Sequence, residues 1–139
     1  MIGKNTKIYR PELSNISEKA VIGSDCILHS NIWIGDTVRI GNGVRIQAFA
    51  FIPNGVTIED DVFIGPGVIF TNDRNPPSSD WSPIIVGKGA VIGAGAKILA
   101  GTIIGAGAKI GMGAVVLNSV LPNTTVVGIP ARVIHTDIK

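Results

Sequence analysis

Asn72 and Asp73 are the side chains in this sequence with the most readily specified chemistry. They open a polar segment, residues 71–83, which has three prolines and lacks the regular apolar spacing found elsewhere in the chain. Enrichment in Pro, Asn, Asp and Ser predicts a loop, and loops on rigid scaffolds concentrate binding and chemical groups. The Asn72 carbonyl oxygen can accept an N–H, and the Asp73 carboxylate can orient an amine or take up its proton. The segment is the candidate active site; the alternative is a decorative loop or a subunit contact.

The chain has two histidines, and neither lies in this segment. A hydroxyl is a very weak acid, so a hydroxyl nucleophile needs a base that removes its proton as the new bond forms. A free amine with a pKa of about 8 is already roughly one tenth neutral at pH 7. The segment therefore suits an amine nucleophile better than a hydroxyl. His29 lies far upstream and is a candidate base if it reaches a neighbouring subunit's loop; the alternative is an ordinary surface or interface histidine.

The elements that must position these residues follow a six-residue period. Aliphatic or aromatic anchors recur at this interval in one phase before the polar segment and in a second phase after it. They are Ile16, Ile22, Leu28, Ile34, Ile40, Ile46, Ile52, Ile58, Ile64, Phe70, Val86, Ile92, Ile98, Ile104, Ile110 and Val116. The residue two before each anchor is commonly small or β-branched, which predicts a short strand and a turn per hexad. Such repetition indicates a solenoid whose units bury apolar surface by stacking.

Glycine commonly follows the anchor, as at Gly65 and Gly93. Glycine there suits a corner that needs either a positive φ or a close approach of two backbones. The two phases of the period are separated by sixteen residues, from Phe70 to Val86, which is not a multiple of six. The register therefore slips once, and residues 71–83 are predicted to leave the stack.

These hexads resemble those of the hexapeptide-repeat acyltransferases over nearly the whole chain. The resemblance implies an all-β, left-handed parallel β-helix of five to six coils, three hexads to a coil, with one extruded loop near residues 71–83. Residues 1–139 are expected to form one such domain. A right-handed β-helix has no six-residue period, and an ice-binding solenoid has outward threonine ladders, so neither fits.

The run from Phe70 to Pro76 resembles the loop entry of family members that N-acetylate nucleotide-linked amino sugars. The related O-acetyltransferases of the galactoside, maltose, chloramphenicol and serine types supply a histidine from this region, which is missing here. The resemblance implies an acetyl-CoA-dependent N-acetyltransferase whose small-molecule substrate is a sugar or sugar nucleotide. The alternatives are an O-acetyltransferase with His29 as base and an inert trimeric scaffold.

The segments 116–123 and 127–134 look like the closing signature of the same family. The resemblance implies that four residues line an acetyl-CoA groove, the last of them near the nucleotide phosphates. They are Ala94, Met112, Asn118 and Arg132. Asn118 departs from the pattern, because a lysine is frequent at that position. The glycine- and alanine-rich stretch after the loop suits a smooth channel for the pantetheine arm.

Composition and charge bear on the assembly, the kind of ligand and the location of the protein. The hydrophobic share is 45% and the mean hydropathy is +0.41, which favours burial of an outer face in a homotrimer, as is typical of this family. A net charge of +2 fits a polyanionic small molecule and is too weak for a nucleic-acid surface. No apolar run approaches the roughly 20 residues of a membrane helix, and no signal-peptide pattern begins the chain, so a cytoplasmic location is expected.

Metal chemistry is not expected from this sequence. A zinc carbonic anhydrase on such a helix needs three histidine ligands, and the two histidines here, His29 and His135, are widely separated. A sugar-nucleotide pyrophosphorylase needs a further nucleotide-binding domain. Cys26 occupies an inward position and is predicted to be a core residue.

Overall fold

The computed structural model describes residues 1–137, which are built almost entirely of short strands. The helical element among them is a single 3-10 turn, Pro11–Leu13, and no helix in this range is long and apolar enough to cross a membrane. The strands are β1 (Lys7–Ile8), β2 (Asn15–Ile16), β3 (Val21–Ile22), β4 (Ile27–Leu28), β5 (Trp33–Ile34), β6 (Arg39–Ile40), β7 (Arg45–Ile46), β8 (Phe51–Ile52), β9 (Val56–Ile58), β10 (Phe63–Ile64), β11 (Ile69–Phe70), β12 (Ile84–Val86), β13 (Val91–Ile92), β14 (Lys97–Ile98), β15 (Ile103–Ile104), β16 (Lys109–Ile110), β17 (Val115–Val116), β18 (Thr124–Val127) and β19 (Arg132–Thr136).

These strands form three parallel sheets, and successive strands of the chain belong to successive sheets. The β1 face contains β1, β4, β7, β10, β13, β16 and β18; the β2 face contains β2, β5, β8, β11, β14 and β17; the β3 face contains β3, β6, β9, β12 and β15. Paired residues such as Ile27 and Arg45 are 18 positions apart, so one coil is three hexads. This all-β solenoid is consistent with the expected left-handed β-helix.

The stack has about seven turns, more than the five to six that the sixteen anchors make alone. The additional rungs come from the two ends. Lys7–Ile8 pairs with β4 before the first anchor, and Thr124–Val127 pairs with β16 after the last one. Beyond it, β19 returns antiparallel to β18 and closes the end of the β1 face.

Two corners of the stack carry the candidate functional residues. We call the corner between the β1 and β2 faces the glycine edge, and the corner between the β2 and β3 faces the loop edge. Residues 71–83 leave the stack at the loop edge, between β11 and β12. Across them, paired residues such as Ile69 and Lys97 are 28 positions apart instead of 18. The excursion therefore adds ten residues without disturbing the pairing on either side.

The core is a continuous column of the predicted anchors and of the small residues two positions before them. Every anchor from Ile22 onward is buried, as are Ala20, Val44 and Ala96 among the small residues. Cys26 is a free, fully buried thiol in one of these inward positions, as predicted. Burial raises its pKa, which makes it an inert member of the core.

The glycines that follow the anchors are there because adjacent coils touch at the corners. A Cβ on Gly93 would lie 2.6 Å from the backbone nitrogen of Met112, and one on Gly65 would lie 2.7 Å from that of Ala94. The positive φ angles occur two residues further on, as at Gly67 and Gly95. Of the two expected reasons for these glycines, the structure supports close approach.

The outward position of each strand shows a simple charge rule. Every charged residue there is basic, whereas the carboxylates of the described residues lie in turns, loops and the final segment. The basic outward residues are Lys7, Arg39, Arg45, Lys97 and Lys109. The apolar outward residues include a stripe on the β2 face formed by Trp33, Phe51 and Ile69, all partly exposed.

Candidate active site at the loop edge

The excursion is a closed loop whose two ends meet. The backbone N–H of Ser82 donates to the carbonyl oxygen of Asn72 at 3.0 Å, and Asp73 forms an antiparallel bridge with Trp81. Because the ends are held together, the residues between them project from the stack as one unit. Asn72 and Asp73 thus stand at the base of the loop, where it meets the rigid coils.

Asp73 uses its carboxylate within the loop. Its oxygens accept the Ser78 backbone N–H at 2.6 Å, the Ser78 hydroxyl at 2.7 Å and the Asn75 backbone N–H at 3.2 Å. The hydrogen bond from the Ser78 side chain, supported by those from the backbone, holds the pKa of Asp73 below its usual value. Such a carboxylate is a poor proton acceptor at neutral pH. This geometry favours a role in shaping the loop over the proton uptake that the sequence suggested.

Two further side chains fasten the loop to the next coil. Arg74 donates from Nη1 to the carbonyl oxygen of Ala100 at 2.8 Å. The Thr71 hydroxyl accepts the Ala100 backbone N–H at 2.9 Å and donates to the Ile98 carbonyl oxygen at 3.2 Å. The base of the loop is thus fixed to the scaffold on the side that leads to the glycine- and alanine-rich coils.

Unlike Thr71 and Arg74, which bond to the next coil, Asn72 bonds to the preceding coil along the loop edge. It is half-buried, and its Nδ2 donates to the backbone carbonyl oxygen of Asn54 at 3.3 Å. This bond sets the orientation of the amide, and its Oδ1 has no hydrogen-bond partner among residues 1–137. A fixed amide with a free carbonyl oxygen is suited to accept an N–H from a bound molecule.

Asn72 also lines a cavity of about 370 Å³ that the sequence analysis did not anticipate. The cavity runs along the loop edge over the preceding coils and is lined in part by Asn54, Asp36 and Trp33. A pattern in the sequence points to these positions: Asp36, Asn54 and Asn72 are spaced by 18 residues, which is one coil. Each stands two residues after an anchor, so the three side chains share one edge.

His29 lies on the other edge of the β2 face. It follows β4 on the glycine edge, is half-buried, and stacks on Tyr9 with ring centroids 5.4 Å apart. Six residues at about 3.3 Å each separate successive corners, so the two edges are roughly 15–20 Å apart. One chain therefore does not bring His29 to Asn72. Among the described residues, no group of three His, Cys, Asp or Glu side chains is placed to hold a metal ion.

The four residues expected at an acetyl-CoA groove fall into two pairs. Ala94 and Met112 occupy the glycine edge on consecutive coils, where the Gly113 N–H donates to the Ala94 carbonyl oxygen at 2.8 Å. Asn118 and Arg132 line a separate cavity of about 210 Å³ at the end of the stack. Arg132 is exposed at the start of β19, with Nη1 donating to its neighbour's carbonyl oxygen at 3.1 Å. The glycine-edge pair and the terminal pair are thus distinct surfaces.

The sequence profile described as bacterial transferase hexapeptide (six repeats) matches residues 37–72 and 83–118, just over half of the chain. A second profile, the hexapeptide repeat of succinyl-transferase, matches residues 16–48. The chain belongs to the bacterial transferase hexapeptide family. The first match stops at residue 72 and resumes at residue 83, so the ten residues skipped between the two matches, 73–82, lie within the excursion.

Similar proteins of known name are acetyltransferases. The serine acetyltransferase of Buchnera aphidicola subsp. Acyrthosiphon pisum is 40% identical over 114 residues, which are 77% of this chain and 37% of that protein. The 2,3,4,5-tetrahydropyridine-2,6-dicarboxylate N-acetyltransferase of Halalkalibacterium halodurans is 38% identical over 143 residues, 94% of this chain and 58% of that protein. This hexapeptide chain thus spans about a third to three fifths of these relatives.

Among solved structures, the fold matches a mutant of perosamine N-acetyltransferase from Caulobacter crescentus in complex with CoA and GDP-perosamine. The TM-score is 0.82, with 22% identity, and the match covers 94% of this chain and 56% of that one. At this level of identity the likeness demonstrates a common fold.

Proposed function

We propose that this protein is an acetyl-CoA-dependent N-acetyltransferase that acts on the amine of an amino sugar, nucleotide-linked as in the perosamine enzyme's complex. The observation that carries the proposal is the Asn72 amide, fixed by Asn54 with its Oδ1 free, at a loop edge that has no histidine among the described residues. An amine needs orientation more than it needs a base, and this arrangement supplies orientation.

The reaction is a direct transfer. The neutral amine attacks the thioester carbonyl carbon, a C–N bond forms, the C–S bond breaks, and CoA leaves as its thiolate. The proton that the nitrogen must lose passes to that thiolate or to water. Asn72 Oδ1 accepts one N–H and directs the lone pair at the carbonyl carbon. Asp73, whose carboxylate accepts Ser78 and Asn75, keeps the loop base in place.

We assign acetyl-CoA to the surface of small residues on the glycine edge, at Ala94 and Met112, and its phosphates to the terminal cavity of Asn118 and Arg132. The proposal needs a second subunit, because one chain separates the glycine edge from the loop edge by the width of the β2 face. In a homotrimer, a partner's glycine edge faces this chain's loop, and each site lies between protomers. The exposed apolar side chains of Phe51 and Ile69 on the β2 face support such an assembly.

A screen of amino sugars, free and linked to UDP or dTDP, with thiol release as the readout tests the function. The expected log kcat/KM rises with pH and levels off near the amine pKa of about 8.

Asn72→Ala should lower kcat/KM roughly tenfold to a thousandfold, the cost of one oriented polar contact in a transition state. A wild-type rate in Asn72→Ala on a true acceptor contradicts the assignment. Failure of acetyl-CoA to raise the melting temperature favours the inert scaffold.

The second candidate is O-acetylation of a hydroxyl with His29 as the base, and the 40% identity to a serine acetyltransferase favours it. In that case a hydroxyl acceptor should be turned over efficiently, with an acid limb in the pH profile that disappears in His29→Ala. The amine reaction should keep its pH profile in the same variant. These two outcomes separate the candidates.

A further inference from the structure

The groove on the loop edge is a row of hydrogen-bonding side chains spaced one coil apart. Asp36, Asn54 and Asn72 follow one another along its length, and Ser17 stands one coil beyond Asp36. Adjacent strands of a sheet lie about 4.8 Å apart, so Asp36 is roughly 10 Å from Asn72 along the stack. A molecule with its amine at Asn72 thus has further polar partners two coils away.

One tryptophan lines this groove, and the other lines the cavity beside it. Trp33 forms one wall, is 46% exposed, and is set in place by stacking on Phe51 with ring centroids 6.1 Å apart. Trp81 lies in an adjoining cavity of about 200 Å³ that shares Asn54 with the groove. Its indole N–H donates to the Ser78 carbonyl oxygen at 3.2 Å, which fixes the ring to the loop. A polar row beside the held Trp33 ring matches the surface of a sugar, which has apolar C–H groups on one face and hydroxyls around the rim.

The charge of the groove indicates which part of a sugar nucleotide it can hold. Asp36 is the charged side chain among the residues that line either cavity, and no cation lines them within the described part of the chain. Asp36 Oδ1 accepts the Ser17 hydroxyl at 2.6 Å, and Oδ2 lies 3.9 Å from the exposed Lys19 ammonium, which does not line the groove. A phosphate in the groove would meet the Asp36 carboxylate, while the nearby Lys19 ammonium lies outside the lining, which is unfavourable for an anion.

We propose that this groove is the acceptor subsite: the sugar ring lies against Trp33, its hydroxyls bond to Asp36 and Asn54, and its phosphates, where present, lie outside the groove. The inference rests on the proposed N-acetyltransferase, since Asn72 at the head of the groove receives the amine. Asp36 is then a specificity-determining residue. The acceptor class is an amino sugar recognised through its hydroxyls and not through a diphosphate.

Binding can be measured without turnover through tryptophan fluorescence. The probes are methyl glycosides of 2-, 3- and 4-amino hexoses, their deoxy analogues, and UDP-glucosamine. With Trp81→Phe in the background, a bound glycoside should change the emission of Trp33. Asp36→Asn should raise the Kd of the glycoside about tenfold or more, as expected for a hydrogen bond to a charged group. Asp25→Asn, which removes the same charge on the edge between the β3 and β1 faces, should leave the Kd unchanged.

A deoxy analogue makes the test specific. For the glycoside lacking the hydroxyl that Asp36 binds, Asp36→Asn should have almost no effect, because the pairwise interaction is already absent. The inference is overturned if no glycoside gives a signal from Trp33, or if Asp36→Asn leaves every Kd within about twofold. It is also overturned if Asp36→Asn tightens UDP-glucosamine, because the diphosphate would then lie in the groove.

The two proposals fail in different ways. Binding at Trp33 and Asp36 without acetyl transfer to any amine would refute the N-acetyltransferase and leave the saccharide groove in place. Acetyl transfer that is insensitive to both Trp33→Ala and Asp36→Asn would support the enzyme and refute the groove.

Discussion

The two halves of the glycine edge have the same backbone conformation but different side chains, small in one half and aromatic in the other. One position in each coil takes a left-handed φ: Asn31 at 61°, Phe49 at 66°, Gly67 at 68°, Gly95 at 69° and Gly113 at 69°. From the fourth coil onward the position is glycine, and Ala94 and Met112 lie beside it. In the earlier coils it is Asn31 and then Phe49, whose ring is 66% exposed, and the same edge also carries the stacked pair of Tyr9 and His29.

Backbone geometry explains the glycines and does not explain Phe49. A left-handed conformation costs an ordinary L residue roughly 1–2 kcal/mol, and a bulky aromatic is unusual there. A Cβ on Gly95 or Gly113 would meet nothing within 4 Å, so space on the molecule itself does not require their small size. The same corner therefore offers two outer surfaces, one smooth and one aromatic.

The largest effect is expected when the smooth half is made to resemble the aromatic half. Gly95→Phe should raise the KM for acetyl-CoA roughly a hundredfold or more, because a ring placed where a ligand packs costs about 3 kcal/mol. The measurement is initial-rate kinetics with a direct acetyl-CoA titration.

Gly89→Phe is the matched control for that change. Gly89 has a φ of 71° and equally open surroundings, but it lies on the corner between the β3 and β1 faces. Both variants should lose similar stability in thermal unfolding, and the acetyl-CoA defect should appear in Gly95→Phe alone. Equal affinities of the two variants for acetyl-CoA would contradict the assignment of acetyl-CoA to the glycine edge.

The next effect concerns the end of the stack, where Arg132 stands exposed beside Asn118. Arg132→Ala should raise the KM for acetyl-CoA roughly tenfold to a hundredfold and change kcat little, because a phosphate contact far from the thioester stabilises ground and transition states alike. Dephospho-CoA thioesters should show a smaller difference between wild type and variant if the contact is to the 3′-phosphate. A fall in kcat with an unchanged KM would contradict the assignment.

A smaller effect is expected on the aromatic half. Phe49→Asn should stabilise the chain by about 1 kcal/mol, because Asn tolerates the left-handed region and little apolar surface of Phe49 is buried. Phe49→Ala lacks the short polar side chain by which Asn hydrogen-bonds locally in the left-handed region, so it should give no such gain. Thermal unfolding should show a rise of about 3–5 °C for Asn alone. Destabilisation by both changes, dependent on protein concentration, would mean that the ring contacts another subunit.

The smallest effect is expected at His29. On an amine acceptor, His29→Ala should change kcat/KM by less than about twofold and leave the shape of the pH profile intact. Tyr9→Ala removes the stacking partner at the same surface and is the control for a purely structural loss. A pH limb that is lost in His29→Ala and kept in Tyr9→Ala would make His29 a base.

The fold could be predicted because a six-residue period specifies which side chains point inward, and the anchors are buried as the pattern predicts. The excursion was also predictable, since a register slip with three prolines cannot remain in the stack.

The side-chain contacts around the candidate site were harder to predict. Asp73 looked free in sequence, but its partners, Ser78 and Asn75, are set by the loop's own turn. Asp36 was missed because its relation to Asn72 appears only when the sequence is compared at intervals of 18 residues, the length of a coil.

The closed base of the excursion makes the solenoid tolerant of change at one point. Near the two ends of residues 71–83, the backbone N–H of Ser82 donates to the Asn72 carbonyl oxygen at 3.0 Å, and the coils on both sides keep their pairing. Ten residues can be exchanged, lengthened or shortened there without moving an anchor. A replaced loop would therefore leave the anchors, the strand pairing and the groove side chains Asp36, Asn54 and Asn72 in place, so the loop and the groove can change independently.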